Sequence, residues 1–277
     1  MASRLNSPTT GMFRTTTFNL GPSEYPGTVE FIPLPNAQEQ FAGKVYQVKS
    51  SGTSGILGEI WDINPQRSHF SIDNEEILSE EEISRADQII GDEARNHFIA
   101  RHVIVRTILS RYLLIPPEKI CFSYNPWGRP SVVGNRESGR IFFNISNTEG
   151  RVLIAVSRNF QPGIDYETVN SAPDIMGIAR TYFHSDLVDY LASLRLPERR
   201  YQFFRIWVHT EACMKAIGTG LVHSSRSLLF PRGLPIPPKY IIRAPEYSYP
   251  GVFMGMDIPS KNSTVTACVF HLPNGLS

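Results

Sequence analysis

Asp165 and Glu167 stand two residues apart in the run Gly163-Ile164-Asp165-Tyr166-Glu167. On a β-strand, residues two apart leave the same face. Two carboxylates held side by side repel each other unless a cation or a proton lies between them. A solvent-facing acidic strand is the plainer alternative. Further on, Phe203, Trp207, Glu211 and Lys215 follow at steps of four and share one helix face. An apolar stripe that runs on into a carboxylate and an ammonium suits a metal ligand or base followed by a phosphate-neutralising cation. The plainer alternative is an exposed i,i+4 pair, which stabilises a helix by only about 0.3–0.5 kcal/mol. Trp207 reads as packing, as aromatic residues on helices usually are.

Local signals define the elements that must hold these residues. Residues 163–167 read as a strand after a Pro162-Gly163 turn. Helices are expected over 173–183, 185–194 and 198–217, the last ended by Gly218 and Gly220. Upstream, residues 59–63 alternate like a strand, and Ser79 followed by Glu82 fits a capping box for a helix to about 90. A second helix spans 92–114 and is stopped by Pro116 and Pro117. Strand candidates follow at 120–124, 141–145 and 152–157, with a turn at 125–130 between the first two. Residues 227–272 read as several strands divided by Pro and Gly. Residues 1–57, rich in Pro, Gly, Ser and Thr, read as an extension that ends in the flexible run at 50–55. The first 23 residues carry no acid but contain Pro and Gly, which fits a loose tail better than a targeting helix. The chain thus divides into 1–57, a first lobe at 58–158 and a second at 159–277, with helices and a small sheet in each.

The whole chain, 277 residues with 41% hydrophobic content, can bury one large core or two small ones. A formal net charge of +1 argues against binding nucleic acid through bulk charge. It leaves room for a local phosphate pocket built from a few cations. No apolar run approaches the roughly 18–20 residues that cross a bilayer, so no membrane span is expected. Three scattered cysteines, Cys121, Cys213 and Cys268, suggest no CxxC motif and point to a reduced cytoplasmic protein.

Three segments in order resemble the signatures of the phosphopantetheinyl transferases. They are Phe143-Asn144-Ile145-Ser146-Asn147, the run around Asp165 and Glu167, and the helix from Trp207 to Leu221. Phe122 to Pro130 is similar to the family's FxxxxxGKP segment, and Arg95 to Arg106 to its basic helix. The resemblance covers roughly residues 58–221 and is to the larger single-chain class. It implies an α+β fold: a pseudo-dimer of two similar lobes, monomeric, with the active site in the cleft between them. It also implies a reaction, transfer of the phosphopantetheine arm of coenzyme A to a serine of an acyl or peptidyl carrier protein, with release of 3′,5′-ADP.

By that resemblance Asp165, Glu167 and Glu211 bind Mg²⁺, a hard cation that favours oxygen ligands. Glu211, Lys215 and Asp165 are the catalytic residues, Glu211 accepting the serine proton directly or through a water. Arg129, Ser146 and Asn147 are expected at the nucleotide and phosphates of coenzyme A, with Lys215 on a phosphate oxygen. Arg85 and Arg101 are expected at its 3′-phosphate. Two positions depart from the pattern. Asn147 replaces a histidine, and Thr210 replaces the lysine before the glutamate, so two cationic groups are absent. The helix at Glu80, Glu81 and Glu82 is acidic where the family tends to be basic. These departures leave two alternatives: a homologue repurposed for another biosynthetic reaction, or a non-catalytic module that binds carrier proteins.

Overall fold

The structure is a computed structural model that describes residues 29–31, 42–49, 56–68, 72–134, 140–148, 150–169, 174–220, 223–230, 239–244, 251–258 and 264–272. The tail at 1–23, the run at 50–55 and Leu221 lie outside the described residues. The fold is α+β. In chain order it runs β1 (Val29–Phe31), β2 (Gly43–Lys49), β3 (Ile56–Ile63), α1 (Glu80–Asp87) and α2 (Asp92–Leu113). Next come β4 (Phe122–Tyr124), β5 (Pro130–Val132), β6 (Phe142–Thr148), β7 (Arg151–Ser157) and β8 (Gln161–Thr168). Helices α3 (Ile175–Tyr182), α4 (Ser185–Ser193) and α5 (Leu196–Ile217) follow, then β9 (Lys239–Ala244), β10 (Gly251–Asp257) and β11 (Thr264–Leu272).

Two antiparallel sheets result, ordered β1-β2-β3-β7-β6 and β8-β11-β10-β9, with β4 and β5 forming a separate pair. Alternation along each strand sends side chains to opposite faces. Trp61, Ile154 and Val156 face α2, where Ile104, Ile108 and Leu109 cover them. Tyr46, Ile60, Leu153 and Ala155 point the other way and meet Ile164, Tyr166, Cys268 and Phe270 of the second sheet. On the far side of that sheet, Val265, Ala267 and Val269 lie under α5, with α3 and α4 completing the cluster. The layers therefore run helix, sheet, sheet, helices. At Gly58 the sheets come so close that a Cβ would stand 2.7 Å from the Phe270 ring.

Helix ends follow the expected chemistry. Ser79 and Glu82 close a reciprocal capping box at α1: the Glu82 N–H donates to Ser79 Oγ (3.3 Å) and the Ser79 N–H to Glu82 Oε2 (2.9 Å). Glu82 also accepts from Arg106 Nε at 2.8 Å, so this acid anchors α1 to α2. Helix α2 ends with Leu114 in the left-handed conformation (φ 57°), two residues before the first proline.

The first sheet starts earlier than the sequence suggests. Strand β2 lies within the segment expected to be an extension and pairs with β3 from Gly43 opposite Ile63 to Lys49 opposite Ile56. Val45, Tyr46, Gln47 and Val48 are all buried, so both faces of the strand are covered and no polar–apolar alternation marks it. Similarly, Pro162 and Gly163 are not a turn but belong to β8, paired opposite Phe270 and Val269.

Candidate active site

Strand β8 is where the two sheets meet. Ile164 and Tyr166 point into the core between them, whereas Asp165 shares the opposite face with its cross-strand partner Ala267, beneath α5. Gly163 sets how close that helix comes. A Cβ there would lie 1.8 Å from the Ala212 carbonyl oxygen and 2.8 Å from the Ala216 nitrogen. Only a residue without a side chain lets the two backbones touch. The contact brings Glu211 and Lys215 of α5 alongside Asp165.

The first sheet contributes through β6. Asn144 Oδ1 accepts the Ile164 N–H at 3.0 Å, and Ser146 Oγ donates to Asp165 Oδ1 at 3.1 Å. Lys215 Nζ donates to the same Asp165 oxygen at 2.6 Å and to the Ile164 carbonyl at 3.2 Å. Asp165, only 4% exposed, is thus gripped by one side chain from β6 and one from α5. Its Oδ2 is buried and has no hydrogen-bond partner among the described residues. Lys215 pairs with Asp165 rather than with Glu211, one turn earlier on its own helix.

The site is electrostatically loaded. Burial raises the pKa of Asp165, with Lys215 and then Ser146 opposing it. Glu167 is raised by burial and by the charge of Asp165. Glu211 is pushed up to about 7, first by burial and then by Asp165, with relief from Lys215 and a further push from Glu167. One ammonium therefore serves three crowded carboxylates. Among the described residues no three His, Cys, Asp or Glu side chains are gathered into a metal cluster. Asp165, Glu167 and Glu211 share a field rather than a point. Their chemistry nonetheless fits a hard divalent cation: the donors are carboxylate oxygens, one of them buried without a partner, and their mutual repulsion is what a cation relieves.

The arginines divide. Arg101 Nη1 donates to Asn147 Oδ1 at 3.2 Å, and its guanidinium lies over the Phe98 ring at 5.3 Å. Burial lowers its pKa, and no carboxylate lies within ion-pair distance among the described residues. Arg101 and Asn147 line one cavity of about 370 Å³ with His97, Phe98, Thr148 and Arg151. Arg129 donates from Nη1 to the Ala216 carbonyl at 3.1 Å, and burial pulls its pKa down to about 10. Arg85 stands apart, paired with Glu81 on the surface and lying over Tyr124. Thr210, where the resemblance implies lysine, is 1% exposed and donates back to the Ile206 carbonyl, so its side chain lies within the protein interior. Trp207 stacks on Phe203 (centroids 6.1 Å apart, planes at 17°) and packs with α3, as its residue type suggests.

Sequence reasoning gave no role to Asn144 or to the close approach at Gly163. Both partners lie in distant segments; the only signal was their place inside the quoted motifs.

Residues 161–234 match the model of the 4′-phosphopantetheinyl transferase superfamily. The chain is 36% identical over 146 residues to 4′-phosphopantetheinyl transferase HetI of Nostoc sp., covering 52% of this chain and 61% of that protein. It is 35% identical over 119 residues to 4′-phosphopantetheinyl transferase gsp of Aneurinibacillus migulanus, covering 43% and 47%. With 4′-phosphopantetheinyl transferase Sfp of Bacillus subtilis it shares 26% identity over 144 residues, covering 52% and 62%. The chain thus spans less than two thirds of each of these curated relatives.

Proposed function

We propose that this chain, which carries a domain of the 4′-phosphopantetheinyl transferase superfamily, transfers the 4′-phosphopantetheine arm of coenzyme A to a serine of an acyl or peptidyl carrier protein. The observation that carries the proposal is the arrangement at Asp165. A buried carboxylate is bonded by Ser146 from β6 and Lys215 from α5, with its second oxygen unpartnered among the described residues and Glu211 beside it. A packed core gains nothing from such an arrangement, since buried charge is costly unless fully paired. A non-catalytic binding module would have no use for it.

In this reading the chain works as two halves around a seam. Arg101, with Asn147 and the neighbouring cavity, and Arg129 at the end of α5 hold the phosphates of coenzyme A. Each is a partly buried guanidinium with no carboxylate partner among the described residues, ready to take an anion. Arg85, exposed and paired with Glu81, is a weaker candidate for the 3′-phosphate than Arg101. Asp165, Glu167 and Glu211 would hold Mg²⁺, which supplies charge neutralisation at the pyrophosphate. Glu211, poised near neutrality, takes the proton from the serine hydroxyl. The serine oxygen forms a bond to the pantetheine-side phosphorus, the bridging P–O bond breaks, and 3′,5′-ADP leaves. Lys215 steadies the departing charge from its anchor on Asp165. A monomer in the cytoplasm suits this reading, and the three cysteines are free. No helix among the described residues is long and apolar enough to cross a membrane.

The test is intact-protein mass spectrometry of apo carrier proteins incubated with the protein, coenzyme A and Mg²⁺. The expected result is a gain of one phosphopantetheine mass on a carrier, abolished by Glu211→Gln. No gain across acyl and peptidyl carriers would overturn the proposal, and unchanged gain with Glu211→Gln would overturn the site.

A further inference from the structure

The turn at residues 125–129 of the first lobe reaches the far end of α5, and one side chain makes most of the connection. Asn125 accepts the backbone N–H of Trp127 (3.0 Å) and of Arg129 (2.8 Å) on its Oδ1, and donates from Nδ2 to the Gly218 carbonyl at 2.7 Å. Its own N–H donates to the Arg129 carbonyl at 3.0 Å, and its carbonyl accepts from Gly128 at 2.9 Å. Two N–H donors on one side and a carbonyl on the other fix the orientation of the amide.

Gly218 is the left-handed C-cap of α5 (φ 86°), so its carbonyl lies at an end where helix carbonyls lack partners of their own. The neighbouring Ala216 carbonyl is taken by Arg129, from the same turn. The last turn of the helix that presents Glu211 and Lys215 is therefore fastened to the other lobe by two groups from one loop. That loop also carries Arg129.

We infer that Asn125 is a positioning residue: it locks the end of α5 to the first lobe and so fixes where Lys215 stands relative to Ser146 and Arg129 across the seam. It touches no reacting atom. The inference rests on the transferase reading for its catalytic consequence, while the lock itself is testable without catalysis.

The informative variant is Asn125→Asp. The carboxylate still accepts from Trp127 and Arg129, so the turn keeps its shape, but the donor to Gly218 is lost and a negative charge faces that carbonyl. The expected result is a turnover number at least ten-fold lower, with KM for the carrier unchanged. Amide hydrogen exchange across residues 214–218 should be at least ten-fold faster. Ser225→Ala serves as control, because it removes only the hydrogen bond to the Tyr182 carbonyl on α3 and should lower stability without changing turnover or that exchange. Wild-type turnover and exchange in Asn125→Asp would overturn the inference, as would an equal loss of turnover in Ser225→Ala. If the unaltered protein transfers nothing, the transferase reading falls. Exchange at 214–218 then decides the lock alone, acceleration supporting it and no change overturning it.

Discussion

Under the proposed function Glu211 occupies a conflicted position: it must be charged to accept a proton, yet its surroundings favour the neutral acid. Its folded pKa, about 7, lies above that of a free glutamic acid, roughly 4.3. A carboxyl group raised in the folded state contributes stability below its unfolded pKa and loses it as pH rises through the folded one. Without added metal, Glu211→Gln should therefore be more stable than the parent at pH 8, by about 1–2 kcal/mol once solvent screening is allowed for. The difference should vanish below about pH 4.5. Urea unfolding in the presence of a chelator at both pH values checks this; equal stability at pH 8 would mean the carboxylate is not strained. The acidic residues and Lys215 were legible in the sequence because each set lies on a single element, at steps of two or of four. The bond from Lys215 to Asp165 was not, since fifty residues separate the partners. Asn144 and Asn125 were hidden for the same reason, each acting on backbone in a distant segment, and so was the bond from Arg129, itself named from the sequence, to the Ala216 carbonyl.

Among the elements, β8 and α5 make the site by contact, and Gly163 permits it. Gly163→Ala would drive a methyl group into the Ala212 carbonyl and force α5 outward, moving Glu211 and Lys215 together away from Asp165. We expect a loss of about 2–3 kcal/mol in folding stability, as for other overpacked interiors. Coenzyme A binding should fall at least ten-fold by calorimetry, and unchanged binding would show that the close approach is dispensable. Element types and ends were readable wherever caps, prolines and periodicity spoke locally, as at Ser79, Pro116 and Gly218. Strand β2 was not, because a strand covered on both faces carries no alternation. The acidic first turn of α1, set against the family's basic tendency there, is in part architectural, since Glu82 closes the capping box and pairs with Arg106.

At the scale of the molecule, the core between the sheets belongs to neither sheet alone. Ile60 and Leu153 of one sheet and Ile164, Cys268 and Phe270 of the other form a single cluster, so neither sheet can keep its inner face dry alone. The chain should unfold as one cooperative unit. Trp61 reports from the core under α2 and Trp207 from the core around α5. Variants retaining only one of these tryptophans should show fluorescence transitions at the same urea concentration; separated midpoints would mean that the two sheets with their helices unfold independently. That each half would carry helices and a sheet was readable from the recurrence of both signals along the chain. The face-to-face packing of the sheets was not, because buried residues reveal that they are covered but not by what.

The connector between β7 and β8 is only Arg158, Asn159 and Phe160, and Ser157 Oγ accepts the N–H groups of the last two (3.3 and 3.1 Å) while donating to the Leu57 carbonyl. A link this short and this tied, crossing a shared core, leaves no hinge about which one sheet could swing against the other. The mouth of the seam is shaped before any ligand arrives. Under the proposed function, capture of coenzyme A is then a matter of diffusion and of the field around Arg101 and Arg129, not of waiting for the protein to open.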